Sequence, residues 1–66
     1  MYELYLEKSW QPCPDREAAA KAVRAYITAH DMGASEWYRR GEGALRIIGG
    51  DCPVAMIHYN GKLEYR

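Results

Sequence analysis

The chain predicts an α+β fold: a single domain over 1–66, β-α-β-β-β, with one helix packed on one face of a mostly antiparallel sheet. Three observations carry this. An opening stretch alternates apolar and polar residues, a central stretch spaces its polar residues by three and four, and 53–66 holds two strand patterns joined by Asn60-Gly61.

The opening stretch is YELYLEK (2–8). Tyr2, Leu4 and Leu6 fall on one side, and Glu3, Tyr5 and Glu7 on the other, the pattern of a half-buried strand. SWQPCPD (9–15) interrupts it with two prolines, reads as a loop, and ends in Asp15, a helix-capping residue. Trp10 is expected either to fold back over the core edge from this loop or to stay exposed as a binding anchor.

The helix is expected over 16–32. Glu17, Lys21, Arg24, Thr28 and Asp31 make one solvated stripe. Ala19, Ala22, Val23, Tyr26, Ala29 and His30 lie opposite and are expected to be buried. Glu17 and Lys21 form an i,i+4 pair in the favourable order, and Gly33 offers the left-handed residue that ends the helix. Small alanines let such a helix lie close against a sheet.

Two short strand candidates follow, EWYRR (36–40) and ALRII (44–48), around a turn at Gly41-Glu42-Gly43. Asn-Gly between strand patterns is a strong hairpin signal, because both positions of a two-residue turn need positive φ. That turn pairs Tyr59 with Lys62, His58 with Leu63, Ile57 with Glu64, Met56 with Tyr65 and Ala55 with Arg66. Directly opposed residues share a face. Val54, Met56, His58, Leu63 and Tyr65 are then expected under the helix. Ala55, Ile57, Tyr59, Lys62, Glu64 and Arg66 are expected on the open face.

Composition narrows the function. Sixty-six residues leave room for one small core. Nine basic and nine acidic side chains cancel, so no global field draws the chain to nucleic acid or an anionic membrane. No apolar run approaches the roughly 20 residues of a membrane span, and no signal-peptide pattern opens the chain. A cytoplasmic location follows as the default. Cys13 and Cys52 both precede proline in loops and read as reduced thiols.

Chemistry finds little purchase. Cys13, His30, Cys52 and His58 contain no close ligand pair of the kind zinc modules use, and both histidines are expected to point at the core. Neither Ser9 nor Ser35 sits in a nucleophile turn, and no two carboxylates can be assigned to one cleft. The glycine pairs lack the following helix of a phosphate-binding loop. Neither a catalytic residue, a metal nor a cofactor such as haem is expected, and the chain does not read as an enzyme.

Two binding surfaces remain, both on the open sheet face. A protein interface is the preferred reading: Ile48, Ala55, Ile57 and Tyr59 form an apolar centre ringed by Arg46, Lys62, Glu64 and Arg66. Its occupant is either a second copy, giving a homodimer, or a foreign protein. The alternative is single-stranded nucleic acid, with Tyr5 and Tyr59 to stack bases and Arg39, Arg40, Arg46 and Lys62 to follow phosphates. Glu3, Glu7 and Glu64 beside the same patch weigh against that.

A starting strand, an Ala-rich helix, the glycine-rich GEGALRI and the terminal VAMIHYNGKLEY give a layout that resembles small accessory proteins encoded by phages and other mobile elements. Certain anti-CRISPR inhibitors among them bind and block a host complex. The resemblance spans most of the chain, implies a binder without catalysis, and carries no functional residue over.

Overall fold

A turn of two residues follows the first strand. In the computed structural model, which describes residues 1–65, β1 (Tyr2–Leu6) and β2 (Ser9–Cys13) pair antiparallel from Leu6↔Ser9 to Tyr2↔Cys13. Glu7 and Lys8 stand at φ 53 and 63, the two left-handed conformations of a type I′ turn, whose twist matches its strands. The expected loop at 9–15 is therefore a strand as far as Cys13. Its prolines concealed it, yet Pro12 is tolerated because β2 is an edge strand.

Asp15 begins α1 (Arg16–Ala29) by accepting the Ala18 N–H at 2.7 Å on its side chain. The buried stripe is Ala19, Val23 and Ile27, with Ala22 and Tyr26 beside it. Ala29 and His30, expected inside, are exposed, because a spacing of four from Ala19 leads to Ile27 instead. The helix also stops short of 32. Asp31, at φ 48, turns the chain in place of Gly33. The Asp31 N–H bonds the Thr28 carbonyl and the Met32 N–H bonds that of Ile27, a Schellman ending that tucks Met32 into the core.

The expected strand at 36–40 is a second helix, α2 (Ala34–Arg40). Glu36 in its first turn and Arg39 and Arg40 in its last suit the helix dipole, and Gly41 caps its end. Trp37 is 1% exposed and donates its indole N–H to the Ile57 carbonyl at 3.2 Å. Gly41-Glu42-Gly43 thus leads out of a helix rather than around a hairpin.

β3 (Ala44–Ile47), β4 (Ala55–Ile57) and β5 (Leu63–Tyr65) complete one five-stranded sheet in the order β2-β1-β3-β4-β5, every neighbour antiparallel. The class is α+β as the sequence predicts, with β2 and α2 added to the elements it showed.

The closing hairpin differs by one residue, and the consequence is large. Ile57 pairs with Leu63, Met56 with Glu64 and Ala55 with Tyr65. The His58 N–H bonds the Lys62 carbonyl and the Gly61 N–H bonds that of His58, so Tyr59-Asn60-Gly61 is a three-residue loop with Gly61 at φ 87. A slip of one residue moves side chains to the opposite face. Ala55 and Ile57, expected outside, are fully buried, whereas Met56 and His58 leave the core and Tyr65 is 56% exposed. Val54 and Leu63 remain packed at the core margin.

Leu4, Leu6, Leu45, Ala55 and Ile57 from the sheet meet Ala19, Val23, Ile27 and Trp37 from the helices. Gly43 sits where they crowd most. A Cβ there would lie 2.6 Å from Trp37 Cζ2 and 2.9 Å from the Ile57 carbonyl oxygen, at φ +97. Gly43→Ala is expected to cost about 2–4 kcal/mol from strain and overpacking, read as a lower urea midpoint at unchanged slope.

Candidate functional site

Strand alternation places Glu3 and Tyr5 of β1, Trp10 and Pro12 of β2, Arg46 of β3, Met56 of β4 and Glu64 of β5 on the sheet face away from the helices. Tyr5 and Trp10 are cross-strand partners with ring centroids 5.2 Å apart, tilted at 53°. Glu3 and Arg46 are partners on the other side of β1, and Arg46 Nε donates to Glu3 Oε1 at 2.8 Å. The Arg46 guanidinium then reaches across β1 and lies 3.9 Å from the centre of the Trp10 ring. The side chains of Arg46 and Glu3 are only 23% and 21% exposed, which favours the pair over a fully solvated one. A cation over an indole adds attraction of about 0.5–2 kcal/mol. One salt bridge and one stack therefore hold Trp10, Arg46 and Glu3 in a single arrangement beside Tyr5.

A second cluster joins α2 to the closing hairpin. His58 Nδ1 lies 2.9 Å from the Tyr38 hydroxyl, and Nε2 lies 2.6 Å from Glu64 Oε1. A carboxylate can only accept, so Nε2 carries the hydrogen of that bond, and Nδ1 and the Tyr38 hydroxyl share the other. Hydroxyl, imidazole and carboxylate thus stand in a chain. Tyr38 is 55% exposed and Glu64 side chain 70%, so the chain lies on the surface rather than in a cleft. It ties α2 to β4 and β5.

On the helix side, the carboxylate of Glu42 is buried and pairs with Arg40 at 3.4 Å, while Arg40 Nη2 donates to the Tyr26 hydroxyl at 2.8 Å. Burial, then the Glu42 charge, raises the Tyr26 phenol above its ordinary pKa, and the bond to Glu42 raises the Arg40 guanidinium. Each group keeps the proton that the network needs. Cys13 is buried, which pushes its thiol up and makes it a poor nucleophile, and Cys52 is exposed; both are free.

The residues expected at an interface are not brought together. Arg46 and Glu64 lie on the open face, with Tyr5 near Arg46. Ile48 is 49% exposed in the turn after β3, at the end of the sheet. Tyr59 is exposed in the closing loop and Lys62 just after it, leading into β5, with Tyr59 against Arg24 and Thr28 of α1 around a hollow of about 250 Å³. Ala55 and Ile57 are core, and Arg66 lies outside the described residues. Of the nucleic-acid set, Arg39 and Arg40 end α2, with Arg40 committed to Glu42. His30 caps α1, edge-on to Tyr26, and His58 stands between Tyr38 and Glu64, so neither points into the core as expected. Among the described residues, no three His, Cys, Asp or Glu side chains gather as a metal site would need.

Tyr38 and the central place of Trp10 escape a reading of the sequence, because each depends on an element it concealed. The usable signal was Trp10 itself, two residues beyond Lys8 and opposite Tyr5 once a turn is placed at Glu7-Lys8. Among the described residues no helix is long and apolar enough to cross a membrane. Comparison of the chain with protein-family models, with curated proteins and with solved structures finds no match to any of them.

Proposed function

We propose that this domain is a non-catalytic protein-interaction module whose contact surface is the open sheet face centred on Trp10, Arg46 and Tyr5. The observation that carries the reading is the Arg46 stack on Trp10, held by Glu3. Trp, Tyr and Arg are the residue types in which binding energy concentrates, and side chains already fixed lose little freedom on contact. The hollow of about 480 Å³ beside Lys21, Arg24 and Thr28 lies along α1, so the sheet face offers a broad contact rather than a small-molecule pocket. Single-stranded nucleic acid fits less well, because Glu3 neutralises Arg46 and the other basic residues named for it stand elsewhere. The likeness to phage-encoded inhibitors adds little, since GEGALRI runs from α2 into β3 instead of forming a hairpin.

Affinity capture with the wild-type chain, with Trp10→Ala and with Thr28→Ala on the solvated face of α1 tests this. A protein held by the wild type and by Thr28→Ala is expected to be lost with Trp10→Ala, with affinity falling about thirtyfold or more. Equal retention by Trp10→Ala, verified as folded by circular dichroism, would remove the reading. Salt-sensitive binding of a labelled oligonucleotide, abolished by Trp10→Ala, would replace it with the nucleic-acid one.

A further inference from the structure

The two edges of the sheet are not alike. β2 carries Pro12, which has no N–H to offer a further strand, and such blunting is how edges avoid unwanted pairing. β5 is short, three residues with Glu64 among them, but it carries no proline, so its outward N–H groups remain on offer. The Lys62 carbonyl accepts from His58, so Lys62 and Glu64 turn their backbone groups towards β4. By the alternation of an antiparallel ladder, Leu63 and Tyr65 turn theirs outward. On the helix side Leu63 is half-buried and Tyr65 is 56% exposed, with Arg16 of α1 donating to the Tyr65 hydroxyl at 3.1 Å.

We propose that the β5 edge pairs antiparallel with β5 of a second copy of this chain, joining two sheets into one of ten strands. Charge selects both the occupant and the register. Centred on Leu63, the pairing sets Glu64 of each copy opposite Lys62 of the other, and both side chains are exposed on the open side of the sheet. Glu64 Oε1 is occupied by His58, which leaves its second oxygen for the incoming ammonium. Leu63 meets Leu63 on the helix side, exchanging two backbone hydrogen bonds, and Tyr65 falls opposite Gly61, over which the Arg24 side chain of α1 packs. Centring on Glu64 instead would oppose two like charges, which is destabilising. A foreign strand would need its own cation opposite Glu64 and its own anion opposite Lys62, whereas a second copy supplies both. The resulting dimer would set two open faces side by side. The pairing does not depend on what those faces bind.

Sedimentation equilibrium provides the test. The wild-type chain is expected to dimerise at low ionic strength and to dissociate as salt screens the pairs. Lys62→Glu, and separately Glu64→Lys, each turn two attractions into two repulsions and are expected to weaken the dimer about tenfold or more. Mixed in equal amounts, the two variants are expected to recover it, because each then presents the other with opposite charges. A wild type that stays monomeric, a dimer indifferent to Lys62→Glu, or a mixture that fails to recover would each overturn the proposal. If Glu64→Lys does not fold, salt decides: it must strengthen dimers of Lys62→Glu while weakening those of the wild type, and a parallel response refutes the register.

Discussion

Ile57→Asp is expected to unfold the domain. Ile57 is fully buried, in contact with the core that Leu45 and Trp37 complete. The substitution loses the packing of a buried isoleucine, about 2–5 kcal/mol, and forces a carboxylate into a site with no partner, which costs several more. A domain of this size is held by only about 3–10 kcal/mol, so the sum removes most or all of its stability. Met56→Asp is the companion. Met56 is half-buried on the open face, and its variant is expected to stay folded at a cost of about 1–2 kcal/mol. Circular dichroism and amide dispersion in NMR spectra distinguish the two. The pair of variants shows directly which face of β4 the helices cover.

Trp37→Ala is the second large effect. The indole is 1% exposed, packs over Gly43, and satisfies the Ile57 carbonyl. Truncation is expected to cost about 3–5 kcal/mol for the cavity, with roughly another 1 for the orphaned carbonyl. The urea midpoint should fall close to zero, leaving a substantially unfolded population in buffer. Trp37→Phe retains most of the volume and loses the hydrogen bond, so its midpoint should lie between those of Trp37→Ala and the wild type. Equal midpoints for the Ala variant and the wild type would show that α2 does not anchor the core.

Why some of this was legible and some was not follows from how far each signal reaches. Asp15 and the four-residue spacing along α1 are local, and the helix starts and takes its N-terminal cap where expected. The first strand is equally local. β2 is not: Pro12 and Pro14 argue against a strand unless it is already known to lie at an edge, and an edge is a property of the whole sheet. α2 misleads for a different reason. Trp37 and Tyr38 raise the strand propensity of 36–40, while tertiary burial of Trp37, together with charges arranged along the helix dipole, decides for a helix. The hairpin register hung on one residue of loop length. Asn60-Gly61 serves a two-residue turn, yet with Tyr59 it also serves a type I turn closed by a left-handed glycine, and the better-packed choice buries Ala55 and Ile57. Ala55 and Ile57 left the expected interface along with that choice, while Glu64 kept its place on the open face. Arg46 kept its place too, since its face depends on β3 alone.

The place of β1 between β2 and β3 bears on how the chain comes together. The hairpin β1–β2 and the meander β3–β4–β5 are each short-range and can form within their own segments. The seam between them, Tyr2↔Ile47 to Leu4↔Leu45, joins residues about forty positions apart and closes a loop that contains both helices. Closing that seam is the entropically expensive event, and pairings of such long range set the pace of folding. During synthesis on a ribosome, β1 therefore waits beside β2 with one side unsatisfied until Ala44–Ile47 emerges. An interior strand of the finished sheet spends that interval as an open edge, and it is then that the chain is most exposed to wrong partners.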